Sequence, residues 1–342
     1  MSERKAHIAA TVQDVANRAG VSSASVSRVL NKSGKVSPKL QQRVEAVAEE
    51  LGYVPHGAAR ALASKRSRTI GAVIPTLENP NFAIGVEALQ SRLNKAGYTL
   101  LLSSSNYDTT QEYDQVQTLV GRGVDGIMLV GGLHKKELYD FLDIKDIPYV
   151  NTWVHDPTGK TPSVGFDNKR AAFELVNYLL DLGHKNLGVI AGLTTANDRA
   201  QDRVDGIREA LAINGLRLSQ EMLIERPYRI IDGKMALREL LKSPKPPTAV
   251  ICGNDLLAFG AMLECQEHGI SVPDELSIAG FDDLDFAAHL TPPLTTVDVP
   301  AGEIGEQAAE YLLSCIDKQA PLKSKEINVN LIIRKSTASP QV

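Results

Sequence analysis

Gly20 divides residues 11–31 into two segments that can each form a short helix but cannot continue as a single one. Glycine readily adopts the left-handed conformation that ends a helix, and small apolar residues recur at helical spacing on either side of it. Thr11 followed three residues later by Asp14 resembles a capping box, and Ser22 can cap the second segment. The sequence therefore predicts two helices joined by a short turn.

One face of the second predicted helix carries small polar groups and an arginine, at Ser22, Ser23, Ala24, Ser27 and Arg28. A helix of this type can enter the major groove of DNA. There the guanidinium of Arg28 can donate two hydrogen bonds to a guanine edge, whereas Ser23 and Ala24 offer only a hydroxyl and a methyl group. We therefore expect direct base reading by Ser23 and Ala24 to be modest and DNA shape to contribute more.

Residues 21–28, V-S-S-A-S-V-S-R, are similar to the V-S-x-x-S/T-V-S-R motif of the LacI/GalR family of bacterial repressors, and the resemblance extends over essentially the whole chain. It implies a cytoplasmic, homodimeric repressor that binds a pseudo-palindromic operator under the control of a small sugar or sugar-acid effector. It also implies a hinge helix whose Leu62 enters the minor groove, where an apolar wedge kinks the duplex. Thr11, Asn31 and Arg60 are candidate phosphate contacts, although surface solvation accounts for each of them equally well.

Charge is distributed unevenly along the chain. Residues 1–68 contain twelve Lys and Arg side chains against five Asp and Glu, a net of +7, whereas the whole chain has −4, so the remainder carries −11. A basic head favours contact with phosphates, and DNA repels an acidic body. No apolar run approaches the roughly 20 residues that span a bilayer, so we expect no membrane association.

The head and the body differ in the secondary structure that their sequences predict. Residues 1–54, in which a third predicted helix starts at Ser37 and stops at Gly52, are assigned to the DNA-binding head. Residues 55–68 are assigned to the hinge helix and linker, and residues 69–342 to the body that binds the effector and dimerises.

Segments of strand length, rich in Val and Ile, alternate with amphipathic helical segments from residue 69 onward. The predicted strands are residues 70–74, 99–103, 126–130, 148–151, 187–191, 222–225, 249–252 and 277–280. This alternation predicts an α/β body of two doubly wound parallel-sheet subdomains, with a ligand cleft at the carboxyl ends of the strands. The body resembles the periplasmic-binding-protein-like (type I) fold that the family uses as its sensor.

Each half of the body is expected to draw on two stretches of the chain. After the second series of strands the chain should cross back to supply a helix to the first half, and a last strand near residues 327–333 should return to the second half. The predicted subdomains are about 69–167 plus 299–325, and about 168–298 plus 326–342.

Motifs for catalysis are absent from the sequence. It contains no glycine-rich phosphate loop, no G-x-S-x-G and no H-E-x-x-H, which argues against an enzyme such as a nucleotide-dependent oxidoreductase. The seven histidines have no metal-ligand spacing, so each is expected on the surface or in a loop. We therefore predict no catalytic residue, no metal and no other cofactor.

Three polar residues mark the expected ligand cleft in the second half. Asn254 follows the strand A-V-I-C-G, Asp282 follows S-I-A-G-F, and Arg203 opens a helix. Their match to the N-D and G-F-D-D motifs of the family implies that they anchor the effector, although helix capping is an alternative account of Asn254. Amide, carboxylate and guanidinium groups suit sugar hydroxyls, which both donate and accept hydrogen bonds.

Aromatic residues would complete such a site. Phe82, Trp153 and Tyr228 fall where related sensors place ring-stacking residues. Trp153 is the only tryptophan of the chain, and packing in the core is an equally good account of it.

Three further polar residues are weaker candidates. Asn106 and Asp167 lie at predicted strand ends of the first half. Arg199 lies one helical turn before Arg203, and a second guanidinium would favour an acidic sugar such as an aldonate. The loop that carries Arg199 departs in length from the pattern of purine repressors.

Two other functions fit parts of the sequence. A solute-binding protein of sugar transport has the same body. We expect such a protein to carry a signal peptide and no helix-turn-helix, whereas this sequence predicts a helix-turn-helix and lacks the apolar segment of a signal peptide. A purine-type repressor that needs a corepressor has the same architecture. The sequence leaves open whether the ligand releases DNA or promotes its binding.

Overall fold

The computed structural model describes residues 10–30, 36–54, 66–317 and 323–341. The chain divides into two compact units, Met1–Arg68 and Thr69–Val342.

The described part of the first unit contains three helices, α1 (Val12–Ala19), α2 (Ser23–Leu30) and α3 (Pro38–Glu50). Thr11 and Asp14 form the predicted capping box, because the Thr11 hydroxyl accepts from the Asp14 amide and the Asp14 carboxylate accepts from the Thr11 amide. Gly20 ends α1 with a φ of 64°. The helices pack around a small apolar core that includes Val15, Ala16, Val26, Val29 and Val44.

The first half of the second unit contains the strands β1 (Thr69–Ile74), β2 (Thr99–Ser104), β3 (Gly126–Val130), β4 (Tyr149–Thr152), β5 (Ser163–Gly165) and β11 (Lys325–Glu326). They form one sheet in the order β11-β5-β4-β3-β1-β2, in which all neighbours pair in parallel. Its carboxyl-terminal edge therefore gathers the loops that follow β1 to β4.

The helices that cover this sheet are α4 (Pro80–Lys95), α5 (Thr109–Gly121), α6 (Lys136–Ile144) and α11 (Ala301–Ile316). Helix α11 packs closely against α4 although it follows much later in the chain. A Cβ atom on Gly305 would lie only 1.9 Å from the carbonyl oxygen of Gly85, so the contact requires glycine at this position. The first half is thus completed by residues far downstream.

The second half contains the strands β6 (Leu187–Gly192), β7 (Leu223–Arg226), β8 (Ala249–Cys252) and β9 (Ser277–Ala279), paired in parallel in the order β7-β6-β8-β9. Its helices are α7 (Asn168–Asp181), α8 (Asp198–Ile213), α9 (Ile230–Leu240) and α10 (Asp255–His268), with short 3₁₀ turns at Gln220–Met222 and Asp285–His289. β10 (Thr296–Asp298) and β12 (Asn330–Ile332) form an antiparallel pair beside this sheet.

The chain passes between the two halves three times, at residues 166–168, at residues 299–301 and after Glu326. Phe166 and Phe281 lie in the layer between the halves, where both rings are buried and nearly parallel with centroids 6.2 Å apart. The predicted boundary between the halves, between residues 325 and 326, falls inside β11. The chain therefore leaves the first half one residue later than predicted.

The predicted parallel-sheet architecture is confirmed, and each predicted strand of the body lies within a residue or two of an observed one. The predicted last strand corresponds to β12, which joins the second half through β10 and the bridge between Asp282 and Asp298. Among the strands of the described residues, β5, β10 and β11 were not predicted. Within the described residues, no helix combines the length and apolar composition needed to cross a membrane.

Candidate functional site

Helix α2 presents the residues that the sequence assigns to DNA. Ser22, Ala24, Ser27 and Arg28 are exposed and Ser23 is half-buried, while the opposite face of the helix buries its two valines. The Ser22 hydroxyl accepts from the Ser25 amide at 3.2 Å, so Ser22 also caps the helix. The guanidinium of Arg28 makes only a long 3.5 Å contact with the carbonyl of Ala24. The face is therefore a polar surface available for base and phosphate contacts.

Of the other residues assigned to DNA, Thr11 lies within the described part of the chain. Thr11 is exposed, and its hydroxyl is engaged in the capping box of α1. Asn31, Arg60 and Leu62 lie outside the described residues. Their roles stay predictions from the sequence.

The cleft of the body lies where the carboxyl ends of the two parallel sheets face each other. Its inner part is a cavity of about 20 Å³, lined by Asn79, Asn81, Phe82, Tyr107, Trp153, Asn197, Arg199, Arg203, Tyr228, Asn254 and Asp282. Its outer part is a cavity of about 520 Å³, lined by Thr76, Glu78, Asn79, Asn106, Tyr107, Leu193, Thr195, Asn197, Pro227, Tyr228 and Arg229. Seven of the nine predicted effector residues line the inner cavity.

Arg203 is held in place from three directions. Its Nε donates to Asn168 Oδ1 at 2.9 Å, its Nη1 donates to the carbonyl of Gly253 at 2.6 Å, and its guanidinium lies 3.7 Å from the centroid of the Phe281 ring. Such contacts fix the plane of the guanidinium, so that its remaining donors point in one direction. Arg203 is thus a preorganised donor at the inner cavity.

Asp282 lies opposite Arg203 in a strained backbone conformation with a φ of 117°. Its carboxyl group is buried, and burial raises its pKa to about 7, against the weaker opposing effect of the Arg203 charge. The group can therefore donate or accept a hydrogen bond near neutral pH.

Hydrogen bonds to Asp255 hold the loop that carries Asp282. The buried carboxylate of Asp255 accepts from the Leu284 amide at 2.7 Å and from the Thr296 hydroxyl at 2.6 Å. Burial raises the pKa of Asp255 to about 8. Asp255 therefore positions the loop, and it is absent from the lining of the inner cavity.

The two polar atoms of the Asn254 side chain differ in their hydrogen bonding. Its Oδ1 accepts from the Leu257 amide at 3.0 Å and caps α10, which was the alternative account of this residue. Its Nδ2 is buried and has no hydrogen-bond partner within the described part of the chain. A buried amide donor without a partner costs free energy unless a further group accepts from it. The capping role and a ligand role are therefore compatible.

The aromatic candidates differ in their surroundings. Trp153 is almost fully buried, its Nε1 donates to Asn81 Oδ1 at 2.6 Å, and its ring meets Phe82 edge to face with centroids 5.2 Å apart. Both rings form one wall of the inner cavity while packing in the core. Tyr228 lines the inner and the outer cavity and is the most accessible of the three rings.

Arg199 forms an ion pair within the protein. It is buried, and its Nη1 donates to Asp198 Oδ1 at 2.7 Å, so a carboxylate already balances its charge. The same carboxylate of Asp198 accepts from the amides of Gly132 and Leu133, in the other half of the body. Arg199 does line the inner cavity, but it does not require an acidic ligand.

Asn106 and Asp167 lie apart from this cluster. Asn106 is exposed in the outer cavity. Asp167 is exposed and accepts from the Arg170 amide as the cap of α7, and neither of the two cavities includes it in the lining.

Four residues of the inner cavity were missed by the sequence analysis: Asn79, Asn81, Tyr107 and Asn197. Asn79, Tyr107 and Asn197 follow β1, β2 and β6 within a few residues, so their position beyond a parallel strand was the available signal. Burial raises the pKa of Tyr107 and of Tyr228. Both phenols therefore stay protonated near neutral pH and can donate hydrogen bonds.

Two histidines lie in loops, as the sequence predicts, but their side chains are buried. His134 is buried against Glu112, with Nδ1 2.7 Å from Glu112 Oε2. His184 is buried between the Thr248 hydroxyl and the carbonyl of Ala338. Among the residues that the structure describes, no group of His, Cys, Asp and Glu is arranged to hold a metal ion.

Comparisons with known proteins agree on both parts of the chain. The family of bacterial regulatory proteins of the lacI type matches residues 11–56, and the periplasmic binding protein-like domain matches residues 176–337. The HTH-type transcriptional repressor CytR of Escherichia coli (strain K12) is 34% identical over 98% of this chain and 99% of its own length.

Solved structures give the same result. The lac repressor dimer bound to operator and the anti-inducer ONPF has a TM-score of 0.85 and 28% identity, covering 96% of this chain and 99% of that one. The transcriptional regulator CelR in complex with cellobiose has a TM-score of 0.70 and 27% identity, with the same coverage of 96% and 99%.

Proposed function

The chain belongs to the LacI family of bacterial regulatory proteins, and from this membership we propose that it acts as a homodimer on a pseudo-palindromic operator, under the control of a small sugar or sugar acid. DNA-binding transcriptional repression is the function that the family assigns to it.

The exposed face of α2 supports the operator part of this proposal. Ser22, Ala24, Ser27 and Arg28 lie on one side of the helix, opposite the valines that fix it in the head. Two heads related by a two-fold axis would place two such helices in successive major grooves, about 34–36 Å apart or a multiple of that spacing. The related lac repressor is a dimer on its operator.

One observation carries the proposed ligand site: the buried Nδ2 of Asn254 has no partner in the described chain and borders the same inner cavity as Arg203 and Asp282. An amide donor, a fixed guanidinium and a carboxyl group near its pKa together suit vicinal hydroxyl groups. The outer cavity, about 520 Å³, falls in the usual size range of roughly 300–1,000 Å³ for small-molecule sites. The relative CelR binds cellobiose.

The charge balance of the cleft favours a neutral ligand as the first class to test. Asp198 already pairs with Arg199, and the carboxyl group of Asp282, whose pKa burial raises to about 7, balances the charge of Arg203 in part. A sugar therefore needs no acid group to neutralise the cleft, and sugar acids come second in the screen. A purine that acts as corepressor is the alternative.

Operator binding is tested by selecting duplexes from a random pool with the full-length protein. We expect an enriched pseudo-palindrome that binds two chains, and Arg28→Ala should relax the preference at one base pair in each half-site. Failure to enrich any sequence, or an enriched single half-site with one bound chain, would contradict the proposal.

The effector is tested by a thermal-shift screen of sugars, sugar acids and purines. A ligand at about 100 times its dissociation constant adds roughly 2.7 kcal/mol of stability, which is easily measured. Each hit is then added to the complex with the selected duplex in a gel-shift titration. A sugar that stabilises the protein and changes operator affinity supports the proposal, whereas a purine that alone does both would replace it.

A further inference from the structure

A carboxylate of one half of the body is bound by the backbone of the other half. Asp198, the first residue of α8, accepts hydrogen bonds through Oδ2 from the Gly132 amide at 2.6 Å and from the Leu133 amide at 3.1 Å. Gly132 and Leu133 lie in the loop after β3 of the first half, separated from the strand by Gly131. Two consecutive amides that point at one anion form a nest, and hydrogen bonds to a charged acceptor are stronger than neutral ones.

The fit around this carboxylate is close. Oδ1 of Asp198 accepts from Arg199 Nη1 at 2.7 Å, and the Arg199 guanidinium lies against Gly131. A Cβ atom on Gly131 would lie 2.0 Å from that nitrogen and 2.8 Å from Asp198 Oδ1. Gly131 also has a φ of 94°, a conformation that favours glycine. The loop therefore accommodates Asp198 and Arg199 only because residue 131 has no side chain.

A buried pair holds this loop from behind. The ring of His134 contacts the carbonyl of Gly131 through Nε2 at 3.0 Å and the carboxylate of Glu112 through Nδ1 at 2.7 Å. A carbonyl only accepts, so Nε2 carries a hydrogen, and the contact with Glu112 requires a second proton shared between ring and carboxylate. The loop is thus anchored to α5 through a hydrogen bond between the ring of His134 and the Glu112 carboxyl group.

From these contacts we propose that Asp198 is a latch across the cleft, which biases the body toward the arrangement in which the two halves enclose the ligand. The existence of the latch does not depend on the ligand, whereas its consequence rests on the proposed function. Breaking the latch raises the ligand concentration needed for a response, because binding must then also supply the free energy of closure.

Stabilisation of α8 by an acidic residue in its first turn is the competing account of Asp198. That account predicts an effect on the amides of α8 alone. The latch predicts an effect on the opposite half of the body and on the distance between the halves.

The test uses the full-length protein without ligand or DNA. Hydrogen exchange is measured for the amides of Gly132 and Leu133, and spin labels at Ile144 and Ile213 report the distance between the halves, because both positions are highly exposed and lie on helices of different halves. In Asp198→Ala we expect exchange in residues 131–134 to rise by about tenfold or more and the distance distribution to lengthen. Asp205→Ala, which removes a half-buried carboxylate from the same helix, is the matched control and should change neither.

A second variant breaks the contact from the other side. Gly131→Ala places a methyl group where Arg199 and Asp198 lie, and it should lengthen the same distance. The double variant should open the cleft no further than either single variant, because both remove one interaction. Unchanged exchange at Gly132 and Leu133, or effects confined to α8, would overturn the latch. Neither readout needs an operator or an effector, so this outcome is separate from any failure of the proposed function.

Discussion

The guanidinium of Arg203 lies 3.7 Å from the centroid of the Phe281 ring, on the chain segment that leads directly into Asp282. The contact with the ring therefore fixes the position of the guanidinium on one side. The hydrogen bonds to Asn168 and Gly253 fix its rotation. The lysine ammonium group, a point charge on a flexible side chain, cannot replace a planar, stacked guanidinium that donates two directed hydrogen bonds.

We accordingly expect Arg203→Lys to weaken ligand binding by at least about tenfold, since it loses a fixed donor and the stacking. Operator binding should be retained. The measurement is a titration of the thermal shift with the ligand found in the screen. Arg208→Lys, an exposed exchange on the same helix, should leave the titration unchanged. Equal affinities for Arg203→Lys and the parent protein would remove Arg203 from the site.

Asp282→Asn should change the pH dependence of stability. Burial raises the pKa of Asp282 to about 7, so the native protein retains a proton that the unfolded chain releases near pH 4. This contribution to stability is fully present below about pH 4 and is lost as the pH rises through 7. Asparagine is uncharged throughout, so the variant should be more stable than the parent at pH 8, by about 1–4 kcal/mol, with a smaller difference at pH 5.

Denaturant unfolding of both proteins at pH 4, 5 and 8 measures this difference. Burial raises the pKa of Asp255 in both proteins, whereas the charge of Asp282 adds to this shift only in the parent, so the comparison reports the Asp282 carboxyl group together with its effect on Asp255. Two curves that run parallel from pH 4 to 8 would show that Asp282 does not retain its proton in the folded protein.

Trp153→Phe should reduce stability by about 1–3 kcal/mol, because it leaves the buried Oδ1 of Asn81 without its donor. Replacing both residues, as Trp153→Phe with Asn81→Leu, removes the donor and the acceptor together. The double variant should then be less destabilised than the sum of the single changes. Additive losses of unfolding free energy would contradict the importance of this hydrogen bond.

Thr11→Ala should destabilise α1 by about 0.5–2 kcal/mol, since it removes the hydroxyl of the capping box. Amide exchange at Asp14 and Val15 reports the loss. Thr11→Ser retains the hydroxyl and serves as the control. If serine and alanine gave the same exchange rates, the cap would contribute nothing and Thr11 would be free for a phosphate contact alone.

Leu62→Ala should lower operator affinity by at least about tenfold while ligand affinity stays nearly unchanged, because an apolar wedge at a kinked step contributes a few kcal/mol of compensating contacts. This expectation rests on the sequence, since Leu62 lies outside the described residues. A gel-shift titration on the selected duplex decides it, with the ligand-induced thermal shift as control. Equal operator affinity would remove Leu62 from the kink.

The sequence predicted those parts of the molecule that have a local physical signal. Gly20 and the Thr11–Asp14 pair determine the ends of α1, and their effect needs no information from other parts of the chain. Several of the parallel strands, such as β3 and β8, are continuous apolar runs, so their positions were also predictable. Asn254 and Asp282 could be placed at the cleft because each directly follows such a run.

The missed features depend on contacts between distant residues. The three-residue strand β5 is a strand only because β4 and β11 flank it. The side chain of His134, in the loop after β3, is buried because Glu112 on α5 supplies a partner. The sequence indicated that the guanidinium of Arg199 would favour an acidic sugar, whereas Asp198 already pairs with it. The contacts of Asp198 in turn depend on two backbone amides far away in the sequence. Backbone donors leave no signature in the side-chain pattern.

The close packing of α11 against α4 has a consequence for synthesis. Residues 96–300 must be translated before α11 follows, which takes about ten seconds or more at a typical rate of roughly 5–20 residues per second. During that time the apolar face of α4, including Leu89 and Leu93, has no helix to cover it. The first half can therefore reach its native packing only after the whole second sheet has been synthesised.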